Sequence, residues 1–567
     1  MHTHTRSRPN VILFIADDLA WGDLCCHDNP YVHTPNLDRL HAQSARLEHY
    51  CSGPLCSPAR ASLLTGRYHL RTRVIDTYCG RSNIDPNERT IAHALSKSGY
   101  QCGAFGKWHL GDCYPSRAID MGFDTTVMHN AGGIGQPGDH PLNNARWQKD
   151  SYFDPILYSN GEPKPYRGYC ADIFIDEAIR FIDKNKDQPF FTYIATNTPH
   201  TPLIVANEWS EKYLKMDIDP KHAKIYGMIE NIDYNIGRLM AHLERHGLTE
   251  NSILIFTSDH GPCSSADGAD NRIRWNAGLR DRKGSLYQGG VKVPNFIRYP
   301  AGLIKQQAVT RITSPVDILP TVMDFCNIAE STNCPSIDGV SLRGVLTDDS
   351  ETPPPPADRK VYMQWHRGDV PIPHRNAAVI GDRFKYYTPN ENSSGELYDL
   401  KNDPCETHDI ANEFPEQAKS MRKDYLKWLF DVAGTRGVGT FDSQAIHIGS
   451  SVERSTLLTT NDWRLVTGED WDRTDLRGYW QVKNLKEQQY NIRVRFKQKP
   501  DRGLVFLSIN DTILTADKIE PDGWIQFDKQ VIHEGYIRIE SWIEKHSNDS
   551  ESYLQRFQCA CYIELSS

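Results

Sequence analysis

Four apolar runs, rich in β-branched and aromatic residues, have the length of strands that are buried on both faces. They are Val11 to Ala16, Gln101 to Phe105, Pro189 to Ala195 and Ser252 to Thr257. Segments with helical spacing separate them, such as Asp172 to Asp183 and Ile225 to Leu243. Because buried strands alternate with amphipathic helices in βαβ units, the pattern predicts an α/β protein with a central mixed, mostly parallel sheet flanked by helices.

Each of the four runs ends in polar residues of types that carry out catalysis. These ends are Asp17-Asp18, Lys107-Trp108-His109, Asn197 to His200 and Asp259-His260-Gly261. In α/β sheets, ligands bind outside the carboxyl ends of the strands. A polar loop after one strand is common, but four ends with carboxylates, histidines and a lysine predict an active site at this edge.

The pattern changes twice in the C-terminal part of the chain. Two short strand-like runs and a helix from Glu413 to about Phe430 indicate a small α+β subdomain over residues 357–435, after a catalytic domain over 8–350. Beyond the Gly/Thr-rich stretch Ala433 to Thr440, apolar and polar residues alternate with period two. The alternating runs are Gly478 to Lys483, Tyr490 to Phe496, Leu504 to Ile509, Trp524 to Asp528, Tyr536 to Ile543 and Cys559 to Leu565. They predict an accessory β-sandwich-like module over residues 441–567.

Composition excludes several classes of partner. The formal net charge of −9 over 567 residues argues against nucleic-acid binding. No apolar run approaches the roughly 20 residues of a membrane span, so we expect no membrane partner. As written, the chain lacks a signal peptide and is expected to be cytoplasmic, or periplasmic or secreted if a leader was removed. The fourteen cysteines include no CxxC pair or zinc-type spacing, and we expect mostly reduced thiols.

Cys56 lies in a Gly-Pro-rich loop directly before a predicted helix. Pro58 suits the first helical turn and Gly66 is a plausible helix end. Cys56 is therefore expected at a helix N-terminus, where free N–H groups favour anions and lower the pKa of a thiol. A loop cysteine that merely packs is the alternative for this residue alone.

Asp17, Asp18 and Asp259 are expected to converge at the same sheet edge. Because unpaired carboxylates in one place repel each other, a hard divalent cation is their natural partner. His260 would be a fourth ligand or bind the substrate. Oxygen ligands without cysteine favour calcium or magnesium over zinc. The alternative is that Asp17-Asp18 is only a polar strand end.

The stretch Cys56-Ser57-Pro58-Ala59-Arg60, followed by Leu64-Thr65-Gly66-Arg67, resembles the signature of the type I sulfatases in the alkaline-phosphatase superfamily. The resemblance extends from Arg8 to about Phe430. It includes Asp17-Asp18, Thr34-Pro35-Asn36-Leu37-Asp38, Gly106-Lys107-Trp108-His109-Leu110-Gly111, Pro199-His200-Thr201-Pro202, Ser258-Asp259-His260-Gly261, Lys283 to Gly290 and Glu396-Leu397-Tyr398-Asp399-Leu400. The order and spacing of these motifs make the resemblance specific, and it implies an alkaline-phosphatase-like fold and a sulfatase activity.

The resemblance implies that Cys56 is oxidised to formylglycine by a formylglycine-generating enzyme that reads Pro58 and Arg60. One hydroxyl of the hydrated aldehyde would bind the metal and attack sulfur, and the aldehyde would re-form as sulfate leaves. By resemblance, the cation is Ca²⁺, with Mg²⁺ less favoured, and its ligands are Asp17, Asp18, residue 56, Asp259 and His260. His260 departs from the asparagine of many relatives.

The resemblance also assigns roles to five basic residues. Arg60 would support the hydrate, Lys107 would contact the hydrate and sulfate, and His109 would take the proton in the elimination step. His200 and Lys283 would bind sulfate and assist the leaving oxygen, with His200 as general acid.

The leaving group is less determined. Trp365, His366 and Arg367 lie where members of the family often bring a C-terminal loop over the pocket, although a tryptophan is more often part of a core. This loop and the β-module favour a sulfated carbohydrate, and Gly132 to Asn144 is a second candidate substrate loop. The alternatives are an arylsulfatase for small aryl sulfates, a phosphodiesterase or phosphonate monoester hydrolase, and an unmodified protein that binds glycan.

Overall fold

The structure, a computed structural model, describes residues 8–263, 274–302, 306–329, 334–347, 352–435, 444–465, 477–497, 504–545 and 556–567. Its central element is a ten-stranded mixed sheet. The strands are β1 (Asn10–Ala16), β2 (Ala45–Leu47), β3 (Gln101–Lys107), β4 (Thr125–His129), β5 (Ile156–Ser159), β6 (Glu162–Pro165), β7 (Phe190–Ala195), β8 (Ser252–Ser258), β9 (Asn295–Arg298) and β10 (Ala308–Val309). They are arranged in the order β10-β2-β9-β8-β1-β7-β3-β4-β5-β6.

The four strands predicted from the apolar runs form the centre of this sheet. β8, β1, β7 and β3 are neighbours and run parallel, with Ala16 of β1 beside Ser258 of β8 and Ile15 beside Ala195 of β7. Every residue of β1 is buried because helices cover both faces of the sheet. The mostly parallel centre of the α/β fold is therefore confirmed, and the four carboxyl ends lie at one edge.

Ten helices are described in this part of the chain. They are α1 (Pro35–Ala42), α2 (Cys56–Thr65), α3 (Ile91–Lys97), α4 (Pro141–Asn144), α5 (Cys170–Asn185), α6 (Asn207–Leu214), α7 (Pro220–Arg245), α8 (Gln288–Val291), α9 (Ile318–Phe325) and α10 (Arg343–Leu346). One face of β1 packs with α2, α3 and α9, and the other with α1, α5 and α7. Within the described residues, we find no helix with the length and apolarity needed to cross a bilayer.

The next unit is an antiparallel sheet with one helix. Its strands are β11 (Val361–Gln364), β12 (Ala377–Ile380), β13 (Phe384–Thr388) and β14 (Glu396–Asp399), and its helix is α11 (Pro415–Gly434). Tyr425, Trp428 and Val432 of α11 pack against the sheet. The helix ends at Gly434, about one turn beyond its predicted end near Phe430, because Val432 still has apolar partners.

The C-terminal residues form a β-sandwich. One sheet contains β15 (Ile446–Ile448), β17 (Arg464–Leu465), β18 (Gly478–Asn484), β20 (Val505–Ile509), β21 (Thr512–Ala516), β23 (Gly535–Lys545) and β24 (Arg556–Cys559). The other contains β16 (Ser455–Thr459), β19 (Gln488–Arg495), β22 (Ile525–Ile532) and β25 (Tyr562–Ser566). Apolar residues that alternate along these strands form one core between the two sheets.

The predicted single strand from Cys559 to Leu565 is wrong. Cys559 is the last residue of β24, whereas Tyr562 to Leu565 belong to β25 in the other sheet, and the chain crosses between the sheets at Ala560 and Cys561. The N–H of Ala560 donates to the Ser541 carbonyl at 3.0 Å, and the N–H of Cys561 donates to the Arg495 carbonyl at 2.9 Å. These bonds to opposite sheets interrupt the strand although its sequence alternation continues.

The β-sandwich is seated on loops that belong to the α/β domain. Cys79 and Cys113 are part of the apolar core of the sandwich. The N–H of Gly80 donates to the Asn461 carbonyl at 2.9 Å, and Arg464 Nη1 donates to the Cys79 carbonyl at 2.9 Å. The sandwich therefore holds the loop that follows residue 75. Most of the predicted boundary at 433–440, like the end of the catalytic domain near 350, lies outside the described residues.

Candidate active site

Cys56 is the first residue of α2 and only 2% exposed. The extended backbone of Leu55 precedes it, and α2 ends at Gly66, whose φ of 67° is a conformation that glycine adopts without strain. The loop before Cys56 packs closely against the helix, since a Cβ at Gly53 would lie 2.7 Å from the Ala59 Cα. The predicted helix N-terminus is therefore present, and Cys56 lies at the inner end of the site.

The Cys56 thiol is surrounded by charged groups. Its Sγ lies 3.1 Å from His260 Nε2, 3.4 Å from Lys283 Nζ and 3.6 Å from Asp17 Oδ1. Burial alone would raise the pKa of this thiol, but the charges of Lys107 and Lys283 outweigh burial and lower the pKa to about 5. The environment stabilises negative charge on the side chain of residue 56, as a nucleophile requires.

The three predicted carboxylates meet because of the register of the sheet. Ala16 pairs with Ser258, so the residues that follow them, Asp17 and Asp259, leave β1 and β8 side by side. Asp18 turns into the same space with a φ of 67°, and its N–H donates to Asp259 Oδ1 at 3.2 Å. All three carboxylates are at most 1% exposed.

Each of the three carboxylates faces a basic side chain. Lys107 Nζ donates to Asp17 Oδ2 at 2.6 Å, and Lys283 Nζ donates to Asp18 Oδ1 at 2.7 Å. The guanidinium of Arg60 donates two hydrogen bonds to Asp259 Oδ2, at 2.9 and 3.1 Å. The carboxylates and these three cations balance in charge, so a divalent cation and an anionic ester can enter together without a large excess of either sign.

The donor atoms of this cluster suit a hard divalent cation. Ligand atoms of Asp17, Cys56, Asp259 and His260 all lie within 4.8 Å of one another. Asp18 Oδ2 is buried and has no hydrogen-bond partner among the described residues. Although burial opposes it, the charge of Asp259 raises the pKa of His260 to about 9, so His260 would have to release a proton before its nitrogen could bind a cation. Carboxylate oxygens as the main donors fit Ca²⁺ or Mg²⁺.

His109 and His200 face the same space with defined ring orientations. His109 Nε2 lies 2.8 Å from the Thr77 carbonyl, which fixes the proton on this nitrogen and leaves Nδ1 as the basic atom. Burial and the charge of Lys107 hold the pKa of His109 well below its usual value. His200 Nδ1 lies 2.6 Å from the Thr201 carbonyl, and its Nε2 lies 3.9 Å from Asp18 Oδ2.

The loop of residues 365–367 reaches the rim of the site. The Trp365 ring lies beside Gly284, next to Lys283, and its Nε1 donates to Asp76 Oδ1 at 3.3 Å. Arg367 pairs with the same carboxylate and is 4.4 Å from the Tyr78 ring centroid. His366 is different, since its Nδ1 lies 2.6 Å from the Arg367 carbonyl and its Nε2 accepts the Ile372 N–H at 2.7 Å. Both of its nitrogens are therefore engaged within its own loop.

Three contacts of the site have no signal in the sequence. Asp76 joins Trp365 and Arg367 to the loop that orients His109, but it lies in a segment without a recognisable motif. Tyr193, in the buried strand β7, accepts from Arg60 Nη1 at 3.3 Å. Arg274 donates to the Asp18 carbonyl at 2.7 Å and is held by Asp23. Such contacts depend on the tertiary arrangement and not on local pattern.

Comparison with known proteins gives two family matches. The profile of the Sulfatase family matches residues 9–328, which is more than half of the chain. The profile described as N-sulphoglucosamine sulphohydrolase, C-terminal, matches residues 277–431. The two matches overlap, and together they end within α11.

Individual relatives are similar over much of their length. Arylsulfatase H of Homo sapiens is 28% identical over 391 residues, covering 56% of this chain and 68% of the relative. A sulfatase of Formosa agariphila is 27% identical over 517 residues, covering 76% and 90%. The crystal structure of Ps i-CgsB in complex with k-i-k-neocarrahexaose has a TM-score of 0.67 and 25% identity, covering 77% of this chain and 95% of that one.

Proposed function

Because the chain belongs to the type I sulfatase family of the alkaline-phosphatase superfamily and is a sulfuric ester hydrolase, we propose that it removes sulfate from a sulfated carbohydrate. The nucleophile is the hydrate of a formylglycine derived from Cys56, and the cofactor is Ca²⁺ rather than Mg²⁺. The observation that supports this most directly is the position of Cys56, at a helix N-terminus among three carboxylates, Lys107 and Lys283.

Asp17, Asp18, Asp259 and His260 would hold the cation, which supplies positive charge for the ester oxygens and for the nucleophile. The attacking hydroxyl of residue 56 gives its proton to a neighbouring carboxylate, such as Asp17, whose Oδ1 lies 3.6 Å from the Cys56 Sγ, and its oxygen forms a bond to sulfur while the bond from sulfur to the leaving oxygen breaks. His200 donates a proton to that oxygen, and Lys107 and Lys283 stabilise the charge on the sulfate group.

The second step regenerates residue 56. The remaining hydroxyl gives its proton to the free Nδ1 of His109, the carbon–oxygen bond to sulfate breaks, and the aldehyde re-forms. Water then restores the hydrate. A serine or cysteine at position 56 has no second hydroxyl and cannot release sulfate in this way. Arg60, fixed by Asp259, holds the hydrate in position.

The modification has to precede folding. Cys56 is 2% exposed, and Pro58 and Arg60, which the formylglycine-generating enzyme is proposed to read, are also buried within α2. An enzyme that must reach the thiol therefore acts on the chain before α2 packs against the sheet.

The sulfated carbohydrate is supported by the rim of the site. Trp365 lies beside Gly284, next to Lys283, and offers an aromatic face. Arg367 Cζ is 5.0 Å from the Trp365 ring centroid, and the pair suits a sugar ring with an anionic substituent. The similarity to Ps i-CgsB, whose structure contains a neocarrahexaose, supports the same substrate class. His366 is not included in this proposed subsite because its ring nitrogens bind its own loop.

We expect the converted enzyme to hydrolyse nitrophenyl sulfate with a kcat/KM at least about 100-fold above that for a nitrophenyl phosphonate or phosphodiester. The reason is that Lys107, His109 and Lys283 surround the position proposed for a sulfate group. Parallel steady-state assays with both substrates measure this ratio. A ratio below one would favour the phosphonate monoester hydrolase or phosphodiesterase alternative.

The role proposed for His200 predicts a dependence on the leaving group. In His200→Gln, release of sulfate from a sulfated oligosaccharide is expected to fall by about 100-fold or more, because a sugar alkoxide needs a proton. Nitrophenyl sulfate, whose leaving group is stable as an anion, should lose less than about 10-fold.

Chromatographic sulfate release measures the first substrate and absorbance the second, with the exposed His408→Gln as control. Equal losses on both substrates would contradict general-acid catalysis by His200. Activity on aryl sulfates with no sulfate release from any member of a panel of sulfated polysaccharides would instead contradict the carbohydrate assignment.

A further inference from the structure

A second group of metal-ligating side chains lies outside the active site. Cys26 and His27 belong to a short 3₁₀ turn, Cys25–His27, and His41 is in the last turn of α1. One ligand atom from each of these three residues lies within 4.8 Å of the other two. Cys26 and His27 are consecutive and His41 lies in the next helix, so the three residues have neither CxxC nor HxxxH spacing and no sequence motif indicates them.

His27 has a fixed orientation that suits a metal ligand. Its ring stacks on Trp21 with centroids 3.8 Å apart, and its Nδ1 lies 2.7 Å from the Trp21 carbonyl. Because a carbonyl can only accept, Nδ1 carries the proton and Nε2 carries a lone pair. Metal-bound histidines commonly donate their other ring N–H to a backbone carbonyl in this way.

The lone pair of His27 is left without a partner in a buried position. His27 is 8% exposed, and among the described residues its Nε2 has no hydrogen-bond partner. Burial lowers the pKa of His27 to about 3, so the ring is neutral. A buried acceptor without a donor is unfavourable unless something binds it.

The other two side chains leave room for a ligand to enter. Cys26 is in no disulfide and of intermediate exposure, and burial, together with the hydrogen bond from its thiol to the Asp38 side chain, raises the pKa of the thiol. His41 is also partly exposed. Phe296 of β9 packs edge-on against both imidazole rings, with centroid distances of 5.8 Å to His27 and 5.1 Å to His41. The cluster is thus closed on its inner side and open toward solvent.

We propose that Cys26, His27 and His41 form an open Zn²⁺ site with three protein ligands, separate from the catalytic metal centre. Thiolate and imidazole are donors that prefer zinc to calcium or magnesium, and solvent supplies the fourth ligand of a tetrahedral site. On binding, the Cys26 thiol releases its proton to water. Bound donor atoms are about 3.5 Å apart in such sites, so side-chain movements on the order of 1 Å close the cluster.

The proposed zinc site would join α1 to a segment that begins in the active site. The segment from Asp18 to His27 carries one of the catalytic carboxylates, and α1 packs against α7. A metal bound by Cys26, His27 and His41 would fix this segment to α1. This role does not depend on the sulfatase mechanism or on the substrate.

Cobalt titration of the full chain tests the site. The Cys56→Ala substitution removes the thiol of the catalytic centre, and the metal-free variant is titrated with Co²⁺. A charge-transfer band in the near ultraviolet then reports a thiolate ligand elsewhere in the protein. We expect the absorbance of the band to saturate at one equivalent of Co²⁺ and to disappear when Zn²⁺ displaces the bound Co²⁺. Cys26→Ser in this background should abolish the band, and His41→Gln should weaken Co²⁺ binding at least about 10-fold.

Cys25→Ser is the matched control and should keep the band, since its thiol is the exposed neighbour of Cys26. His41→Gln, on a partly exposed helix face, serves as the second variant in case a change at Cys26 or His27 affects folding. Absence of the band in the folded Cys56→Ala protein would overturn the proposal. A band that persists in Cys26→Ser would also overturn it. Binding of Co²⁺ without any charge-transfer band would overturn it too, since the thiol-free cluster of Asp183, His242 and His246 would bind Co²⁺ in that way.

Discussion

Replacing Cys56 by alanine is expected to lower kcat/KM for any sulfate ester by at least about 10⁴-fold. The side chain at this position is the proposed nucleophile, and the charges of Lys107 and Lys283 stabilise its anionic form. Cys56→Ser is expected to differ in kind. Its hydroxyl can accept the sulfate group once, but without a second hydroxyl the sulfated enzyme accumulates.

Rapid-mixing assays distinguish these outcomes, because Cys56→Ser should give at most one equivalent of product and then stop. Intact-peptide mass spectrometry across residue 56 in protein from the native host should find an aldehyde or its hydrate. Cys405→Ala, in a loop away from the site, serves as the control for loss of a thiol. Full activity in protein with an unconverted Cys56 thiol would refute the proposed nucleophile.

Removal of the divalent cation is expected to have a comparable effect, with activity falling by about 10³-fold or more in excess chelator. Asp17, Asp18 and Asp259 would then keep their pairing with Lys107, Lys283 and Arg60. Those cations would be held by the carboxylates and would be less available to the sulfate group. We expect Ca²⁺ to restore activity at lower concentration than Mg²⁺, because Ca²⁺ accepts several carboxylate oxygens in a flexible geometry, whereas Mg²⁺ demands a near-ideal octahedron and gives up its water reluctantly.

The enzyme is dialysed against chelator, and its activity is then measured as Ca²⁺ or Mg²⁺ is added back. Asp18→Asn is the companion variant and should need much more Ca²⁺ for the same activity. Asp324→Asn, a carboxylate on α9 paired with Arg343, controls for loss of a surface charge. Full activity in chelator with no metal in the protein would contradict a metal-assisted mechanism.

The centre of the fold could be predicted from sequence because strands buried on both faces leave a continuous apolar pattern. The same strands end in the acidic and basic residues of the site, so their convergence follows from parallel register. The contacts of Asp76 and Tyr193 could not be predicted, since they join segments far apart in the chain. The crossing at Ala560 and Cys561 was missed because alternation along a strand does not specify which sheet it joins.

The seating of the sandwich on the loop around Cys79 bears on how the two parts of the protein can be studied. Arg464 and Arg81 both bind Asp369, and Thr77 in the same loop orients His109. A shortened enzyme that ends after α11 would expose apolar side chains around Cys79 and Cys113 and release the backbone that orients His109, the proposed base. Lower turnover of polysaccharide by such a deletion would therefore not identify the sandwich as a glycan-binding module. Point substitutions of outward-facing residues on its strands are the appropriate means to separate polymer recognition from support of His109.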